Sequence, residues 1–183
     1  MKRIETKIPG VFMVEADVFG DSRGFFTESY SERKFRDLGV DMTFIQDNHS
    51  CSVPVGTIRG LHYQLAPAAQ TKLVRVISGA IYDVAVDIRK SSPTFGQWVG
   101  VILTGDNHRQ LLIPPGFAHG FCTLVPNTHV TYKVDSYYSP EHDRGILWSD
   151  SAIGIDWPVR AGAAVLSDKD TKHPVLAEAE VFE

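Results

Sequence analysis

Seven histidines are the residues of this sequence that most readily move protons or bind metal ions near neutral pH. One of them, His62, stands between two cations, Arg59 and Lys72. A transition-metal site needs three or four nitrogen, oxygen or sulfur ligands that converge on one point. A proton-transfer site can operate with one imidazole that is held in the right orientation. The cationic neighbours of His62 favour proton transfer, because positive charge opposes a metal ion.

One segment resembles the second half of the cupin pattern, in which proline and glycine precede a histidine. It reads PPGFAHG and carries His119. Metal cupins supply a His-x-His pair and a nearby glutamate from the first half of the pattern. The matching stretch here, residues 60–70, contains His62, has Gln64 in place of the second histidine and has no glutamate. With two candidate ligands, the sequence predicts a cupin barrel that holds no metal.

The elements that must position these residues are predicted to be short β-strands. In residues 81–89, apolar side chains at the even positions alternate with Asp83, Asp87 and Arg89, which is the period of a strand with one apolar and one polar face. A spacing of roughly ten residues per strand favours an antiparallel sandwich or barrel. Further strands are predicted at 72–77, 98–103, 109–114, 119–125 and 128–135.

Helix signals are few. Ser31 can begin a short helix that runs through Leu38 and ends at Gly39, and another short turn follows Ser167. The chain contains no linker, charge block or internal repeat, so residues 1–183 are expected to form a single domain.

Composition excludes several classes of partner. The 18 basic and 22 acidic side chains give a net charge of −4, so the chain has no global attraction for nucleic acid or an anionic membrane. No apolar run reaches the roughly 18–20 residues of a spanning helix, and no early apolar stretch indicates a secretory signal. The two cysteines make no disulfide framework. A cytoplasmic location is expected.

Eight segments between residues 21 and 170 carry a more specific likeness, which runs in register from about residue 4 to residue 175. They read DSRGFFTE (21–28), QDNHS (46–50), GTIRGLHYQ (56–64), TKLVRVISGAIYDVAVDIRKSSPTFGQW (71–98), IPPGFAHGF (113–121), YYSPEHDRGILWSD (137–150), IGIDWP (153–158) and LSDKD (166–170). In this order they resemble the dTDP-4-dehydrorhamnose 3,5-epimerase family. The resemblance implies a mainly β, cupin-like antiparallel jelly-roll barrel with a few short helices. It also implies epimerisation of C3 and C5 of dTDP-4-dehydro-6-deoxy-D-glucose without a cofactor, on the route to dTDP-L-rhamnose.

The resemblance also implies catalytic roles. His62 matches the family's proton acceptor, Asp170 the carboxylate that orients it, and Tyr132 the proton donor. Lys72 has the charge to offset the negative C4 oxygen of the enolate, which removal of a proton next to a ketone creates. Tyr132 shares the apolar side of its predicted strand with Val130 and Val134. His62, Lys72 and Tyr132 are expected to converge inside one barrel.

Nine further positions match substrate-binding residues of the family, and a homodimer that exchanges N-terminal strands is implied in the same way. Arginine suits the diphosphate because its planar fork donates hydrogen bonds in pairs. Glutamate is usual in the family at the position of Asp143, so a contact there would be one methylene shorter. The nine are Arg23, Glu28, Gln46, Asn48, Arg59, His119, Tyr138, Asp143 and Lys169.

Four alternatives stay open on the sequence. Related enzymes epimerise C3 alone or move the ketone of a similar dTDP-4-keto sugar, and one sequence does not report which carbons react. A metal cupin such as an oxygenase and a non-catalytic module that binds nucleotide sugars are the more distant alternatives. Four other histidines, His49, His108, His142 and His173, are expected to be solvated or to cap local structure.

Overall fold

Short strands are the main regular elements of the computed structural model, which describes residues 1–183 except the side chain of Ala161. In that part of the chain they are β1 (Lys2–Glu5), β2 (Phe12–Glu15), β3 (Val18–Asp21), β4 (Gly24–Thr27), β5 (Gln46–Ser52), β6 (Ile58–Gln64), β7 (Lys72–Ser78), β8 (Ala80–Asp87), β9 (Trp98–Thr104), β10 (Arg109–Ile113), β11 (Phe117–Thr123), β12 (Thr128–Val134) and β13 (Asp143–Gly145). Helix α1 (Glu32–Asp37) and a 3₁₀ turn at Ala161–Ala163 complete the elements.

Two antiparallel sheets form the body of the fold. The six-stranded sheet has the order β1-β2-β10-β7-β12-β5, and the five-stranded sheet has the order β13-β6-β11-β8-β9. Apolar side chains from both sheets share one buried cluster, which includes Val74, Leu111 and Val130 from the first sheet and Ala85 and Phe121 from the second. The expected mainly β, antiparallel barrel with a few short helices is therefore confirmed.

Strand β8 departs from the simple amphipathic interpretation, because both of its faces are buried. Its apolar face, including Val84 and Val86, packs outside the barrel against C-terminal residues such as Leu176. Asp83 and Asp87 alternate with that face and are fully buried. The predicted strand is correct, but its polar side is filled with paired carboxylates rather than with water.

Helix α1 and the residues around it cover the outer face of the six-stranded sheet. Phe35 of α1 packs with Phe12, Leu73 and Leu112 of that sheet. Ser31 stands at the N-cap as predicted, although its side chain makes no capping hydrogen bond. Among the described residues, no helix is long and apolar enough to cross a membrane.

Strands β3 and β4 form a separate two-stranded hairpin. Phe19, Phe25 and Phe26 at this hairpin are 65%, 61% and 69% exposed. Exposed aromatic side chains clustered in this way are typical of a surface that contacts another molecule.

Candidate active site

Strands from both sheets line one cleft. His62 comes from β6 of the five-stranded sheet, and Lys72 and Tyr132 come from β7 and β12 of the six-stranded sheet. All three line a cavity of about 440 Å³. In the six-stranded sheet, β7 and β12 are direct neighbours, with Lys72 opposite Val134 and Val74 opposite Tyr132. The histidine therefore faces the lysine and the tyrosine across the cleft.

Asp170 holds the ring of His62. The Nε2 atom of His62 lies 2.5 Å from Oδ1 of Asp170, whose side chain is buried. Burial acts to raise the pKa of Asp170, but hydrogen bonds from His62 and Ser167 and the charge of His62 outweigh it, so the pKa falls below its usual value. An ionised Asp170 accepts a hydrogen bond from Nε2 and leaves the lone pair of a neutral ring on Nδ1.

Lys72 is held close to His62. Its Nζ donates a hydrogen bond to the backbone carbonyl of His62 over 3.2 Å. Burial lowers the pKa of Lys72 to about 8, although Asp143 and Asp83 act in the opposite direction. The ammonium form therefore predominates at pH 7, but its proton is more easily lost than that of a solvated lysine.

Tyr132 is a partly buried phenol at the edge of the core. Its ring packs against the cluster shared by the two sheets, on the same side of β12 as the buried Val130 and Val134. Burial raises the pKa of Tyr132, while the positive charge of Arg59 acts to lower it. The phenol keeps its proton at neutral pH and can donate it to a strong base such as an enolate carbon.

A close approach of two strands places a second histidine beside the first. His119 of β11 is the register partner of His62 of β6. Gly60 has φ +133°, and a Cβ on it would lie 2.5 Å from the Cα of Gly120, so the contact requires glycine. The Nε2 atom of His119 lies 2.7 Å from Oδ1 of Asp83, which is the carboxylate buried on β8.

Polar side chains of both sheets and of two loops form the rim. Asn48 of β5 is the register partner of Tyr132 and accepts a hydrogen bond from Gln46. Asp143 accepts hydrogen bonds from Tyr138 and Lys169. The hydrogen bond to Asp143 raises the pKa of Lys169 and that of Tyr138. All five of these residues line the same cavity as His62.

A second lobe of about 300 Å³ adjoins the first and shares His62, Lys72, Tyr132 and Lys169 with it. Arg59 lines this lobe, where its guanidinium donates to the hydroxyl of Ser52 and to the carbonyl of Cys51. Three cations thus surround the two lobes of an acidic protein. Such a site suits a small anion with two phosphates.

Arg23 and Glu28 lie outside this cleft. Arg23 is at the tip of the β3–β4 hairpin, where its side chain is 89% exposed and pairs with Asp21 at 2.5 Å. Glu28 pairs with Lys34 at 3.2 Å. Within one chain, the structure therefore does not bring these two predicted ligand-binding residues to the other eleven predicted site residues.

The two cupin-pattern histidines do not share a metal-like ligand set. Each is hydrogen-bonded to its own carboxylate, His62 to Asp170 and His119 to Asp83. Gln64 stands at the position of the second metal-cupin histidine, and both ends of its side-chain amide are hydrogen-bonded to loop backbone. Its amide donates to the carbonyls of Ala68 and Tyr137, and its oxygen accepts from the backbone N–H of Ser139.

His173 is a site residue that sequence reasoning missed. The expectation that it is solvated or capping is wrong, because its side chain is only 10% exposed and its ring stands edge-on to that of His62. No spacing signal marks it, since it lies on an irregular segment. Asp83 could have been found, because it alternates with apolar residues on β8 and faces the histidine-bearing strand β11.

Comparison with known proteins places this cleft in context. Residues 5–178 match the family model described as dTDP-4-dehydrorhamnose 3,5-epimerase. The chain is 54% identical to the dTDP-4-dehydrorhamnose 3,5-epimerase of Shigella flexneri over 183 residues, covering 100% of this chain and 99% of the relative.

Two solved structures are similar to the whole fold. The dTDP-4-dehydrorhamnose 3,5-epimerase of Bacillus anthracis, solved with TDP and PPi bound, is 59% identical with a TM-score of 0.92, covering 95% of this chain and 98% of that one. The dTDP-6-deoxy-D-glucose-3,5-epimerase of Legionella pneumophila, in complex with dTDP-4-keto-L-rhamnose, is 46% identical with a TM-score of 0.92, covering 97% and 93%.

Proposed function

The chain belongs to the dTDP-4-dehydrorhamnose 3,5-epimerase family, and from that membership we propose how its own cleft performs the reaction. The substrate is dTDP-4-dehydro-6-deoxy-D-glucose, and the product, with C3 and C5 inverted, is dTDP-4-dehydro-L-rhamnose. Both carbons are next to the C4 ketone, so proton removal at either gives an enolate whose charge is on the C4 oxygen.

One observation carries the proposal: the base and the donor come from opposite sheets. Inversion at a carbon requires that the proton leave from one face and return to the other. His62 on β6 and Tyr132 on β12 line one cavity from its two sides. This arrangement supports a sugar ring held between an imidazole and a phenol.

Each epimerisation balances as two proton transfers. The Nδ1 atom of His62 takes the proton from the carbon, which leaves an imidazolium opposite Asp170 and an enolate on the sugar. The phenol of Tyr132 then gives its proton to the other face of the same carbon. Solvent returns a proton to the phenolate and removes one from the imidazolium, so the enzyme ends as it began and needs no cofactor.

Lys72 stabilises the negative charge of the enolate. Its ammonium group lies beside the histidine carbonyl in the same cavity, where it can donate to the C4 oxygen as negative charge develops. A donor of this type contributes about 10²–10³ in rate. Arg59 and Lys169, in the adjoining lobe, have the charge and position to bind the diphosphate. The remaining rim groups that we propose contact the substrate are Gln46, Asn48, His119, Tyr138 and Asp143.

We also propose that the active unit is a homodimer. The exposed hairpin offers Phe19, Phe25 and Phe26 as an apolar surface, and Arg23 at its tip has no role in its own chain's cleft. A second copy of the chain would cover those rings and could receive Arg23, together with Glu28, at its nucleotide end. This supports the exchange of N-terminal segments that the family resemblance implies.

We also propose that the chain forms a single domain and works in a reducing compartment. The buried cluster that joins both sheets supports a single domain over residues 1–183. The free thiols of Cys51 and Cys122 favour a reducing compartment such as the cytoplasm.

Incubation with dTDP-4-dehydro-6-deoxy-D-glucose in D₂O tests the reaction itself. We expect NMR to show deuterium at both C3 and C5, with EDTA present throughout, since the proposed route uses no metal. Deuterium at one carbon alone would instead establish a mono-epimerase, and a displaced ketone would establish an isomerase. Exchange at neither carbon would contradict the proposal.

The matched pair His62→Ala and His129→Ala tests the base. His129 is a surface residue of β12 that contacts His49. We expect His62→Ala to slow exchange at both carbons by about 10²–10⁴, and His129→Ala to leave it unchanged. Near-normal exchange in His62→Ala would remove His62 as the base.

A further inference from the structure

The ring of His173 lies against the pair formed by His62 and Asp170, although the proposed reaction gives it no task. Its side chain is 10% exposed, and its ring centroid lies 5.5 Å from that of His62. The ring packs directly on Gly145, where a Cβ would come within 2.4 Å of it. This close packing fixes the ring beside the pair formed by His62 and Asp170.

The Nε2 atom of His173 is an unsatisfied polar atom. It is buried and has no hydrogen-bond partner among the residues that the structure describes. It faces Oδ1 of Asp170 at 3.6 Å, and the same oxygen lies 2.5 Å from Nε2 of His62. A buried nitrogen without a partner calls for a physical reason, because most such groups are paired.

These three side chains have the donor types of a mononuclear transition-metal site. Their candidate ligand atoms all lie within 4.8 Å of one another. Two imidazoles and a carboxylate with one position left open bind zinc or iron in many proteins. Tetrahedral zinc sets its ligand atoms roughly 3.3 Å apart. The 3.6 Å between His173 and Asp170 is close to that value, and the 2.5 Å between His62 and Asp170 would have to widen.

We propose that His62, Asp170 and His173 form an inhibitory site for a divalent transition-metal ion such as Zn²⁺, with the fourth position open to the cleft. The inhibitory part rests on the proposed function, because the ion takes the proposed base. The ion binds Nε2 of His62 and displaces its proton. The neutral ring then carries its proton on Nδ1, where the substrate proton would have to go. A metal-bound His62 therefore cannot accept it.

Neighbouring charges set the strength of the site. Lys72 and Lys169 line the same cleft and oppose a divalent cation, although Lys169 is paired with Asp143. We therefore expect reversible binding, weaker than that of a closed structural zinc site.

Metal binding and activity are measured separately on the full-length protein after EDTA treatment and dialysis. Calorimetry with ZnCl₂ and the visible absorption of added Co²⁺ report binding whether or not the protein is an epimerase. We expect one ion per cleft at this site. Deuterium exchange into the substrate should fall in proportion to zinc occupancy and return when EDTA is added.

Two variants remove the third ligand. His173→Ala deletes the ring, and His173→Phe keeps a ring over Gly145 without the nitrogen. We expect both to bind Zn²⁺ more than about 100-fold more weakly, since loss of a direct ligand exceeds the 10–100-fold typical of outer partners. For each variant, the rate of deuterium exchange with zinc present is compared with the rate of the same variant without metal. His129→Ala, which breaks the surface contact with His49, should bind zinc as the parent does.

Three outcomes would overturn the proposal. The first is unchanged zinc affinity in both His173 variants. The second is loss of binding in His129→Ala instead. The third is full exchange activity with the site saturated. If the parent shows no exchange at all, the proposed function fails while the calorimetry and the Co²⁺ spectrum still decide whether the metal site exists.

Discussion

At the scale of single residues, burial and hydrogen bonding shift the pKa values of three side chains in the cleft away from their values in water. Asp170 is kept ionised by its hydrogen bonds, Tyr132 is kept protonated by burial, and Lys72 has its pKa lowered to about 8. Of these three, Lys72 is the group that changes charge within a convenient pH range. A test by pH is therefore available for the group that we propose stabilises the enolate.

The ammonium form of Lys72 is the active one, so kcat/KM should fall as pH rises through about 8. Below that pH the lysine is fully charged, so its titration no longer changes kcat/KM. Lys72→Arg keeps the positive charge at all accessible pH values, because guanidinium titrates above about 12. We expect this variant to be slower, since the fork differs in shape from an ammonium, but to lose the fall near pH 8.

Steady-state rates of the parent and of Lys72→Arg, measured from pH 6 to 10, check this expectation. Lys90→Arg serves as the control, because Lys90 is a surface residue that pairs with Glu183. A fall near pH 8 that persists in Lys72→Arg would assign the titration to another group.

At the scale of elements, alternation of apolar residues predicted strands β7 to β12, while β1 to β6 and β13 were not predicted. β7 to β12 follow the predicted ranges within a few residues. β5, with the sequence QDNHSCS, has almost no apolar residues, because it is an edge strand that contributes Gln46 and Asn48 to the cleft. Period-two patterns report burial in a core, so they do not detect a strand that lines a polar cavity.

The residues of the candidate site were likewise predicted only in part. Motif resemblance selected thirteen residues, and eleven of them, on six strands and two loops, line or adjoin one cleft. It could not reveal His173, whose position depends on the packing of its ring against Gly145. It also could not reveal that Arg23 lies on a hairpin that projects from its own chain.

The contact of β6 with β11 gives a prediction at this scale. Gly60→Ala places a methyl group 2.5 Å from the Cα of Gly120 and 2.8 Å from the carbonyl oxygen of His119, at a φ of +133°. Backbone atoms cannot yield as side chains do, so we expect a loss of about 2–5 kcal/mol in the free energy of unfolding.

Urea unfolding of Gly60→Ala and of Gly162→Ala measures that loss. Nothing lies within 4 Å of a Cβ added to Gly162, so the control should stay within about 0.5 kcal/mol of the parent. Equal stability of the two variants would show that the strands can separate without cost.

At the scale of the whole molecule, a net charge of −4 hides a cationic cleft. Arg59, Lys72 and Lys169 line its two lobes, and the proposed dimer adds Arg23 from a second copy. The overall balance excludes a long polyanion, while the local arrangement suits a substrate with two phosphates.

Phe26→Glu tests the dimer, because it places a charge in the exposed apolar surface of the hairpin. We expect sedimentation velocity to show a dimer for the parent and mostly monomer for the variant, together with a raised KM. Val55→Glu, at another exposed apolar residue that is 52% accessible, should leave the dimer intact. A parent that sediments as a monomer, or a variant that dimerises as the parent does, would contradict the proposal.

The central claim is that His62 and Tyr132 act from opposite sheets on one sugar ring, and deuterium exchange by Tyr132→Phe in D₂O tests it most directly. Without the donor, His62 can still remove a proton and return deuterium to the same face. We expect labelled but uninverted substrate, with epimerised product reduced by about 10²–10⁴ and Tyr137→Phe, an exposed control, unaffected. If exchange and epimerisation fall by the same factor, Tyr132 is not the donor and the two-sided account is wrong.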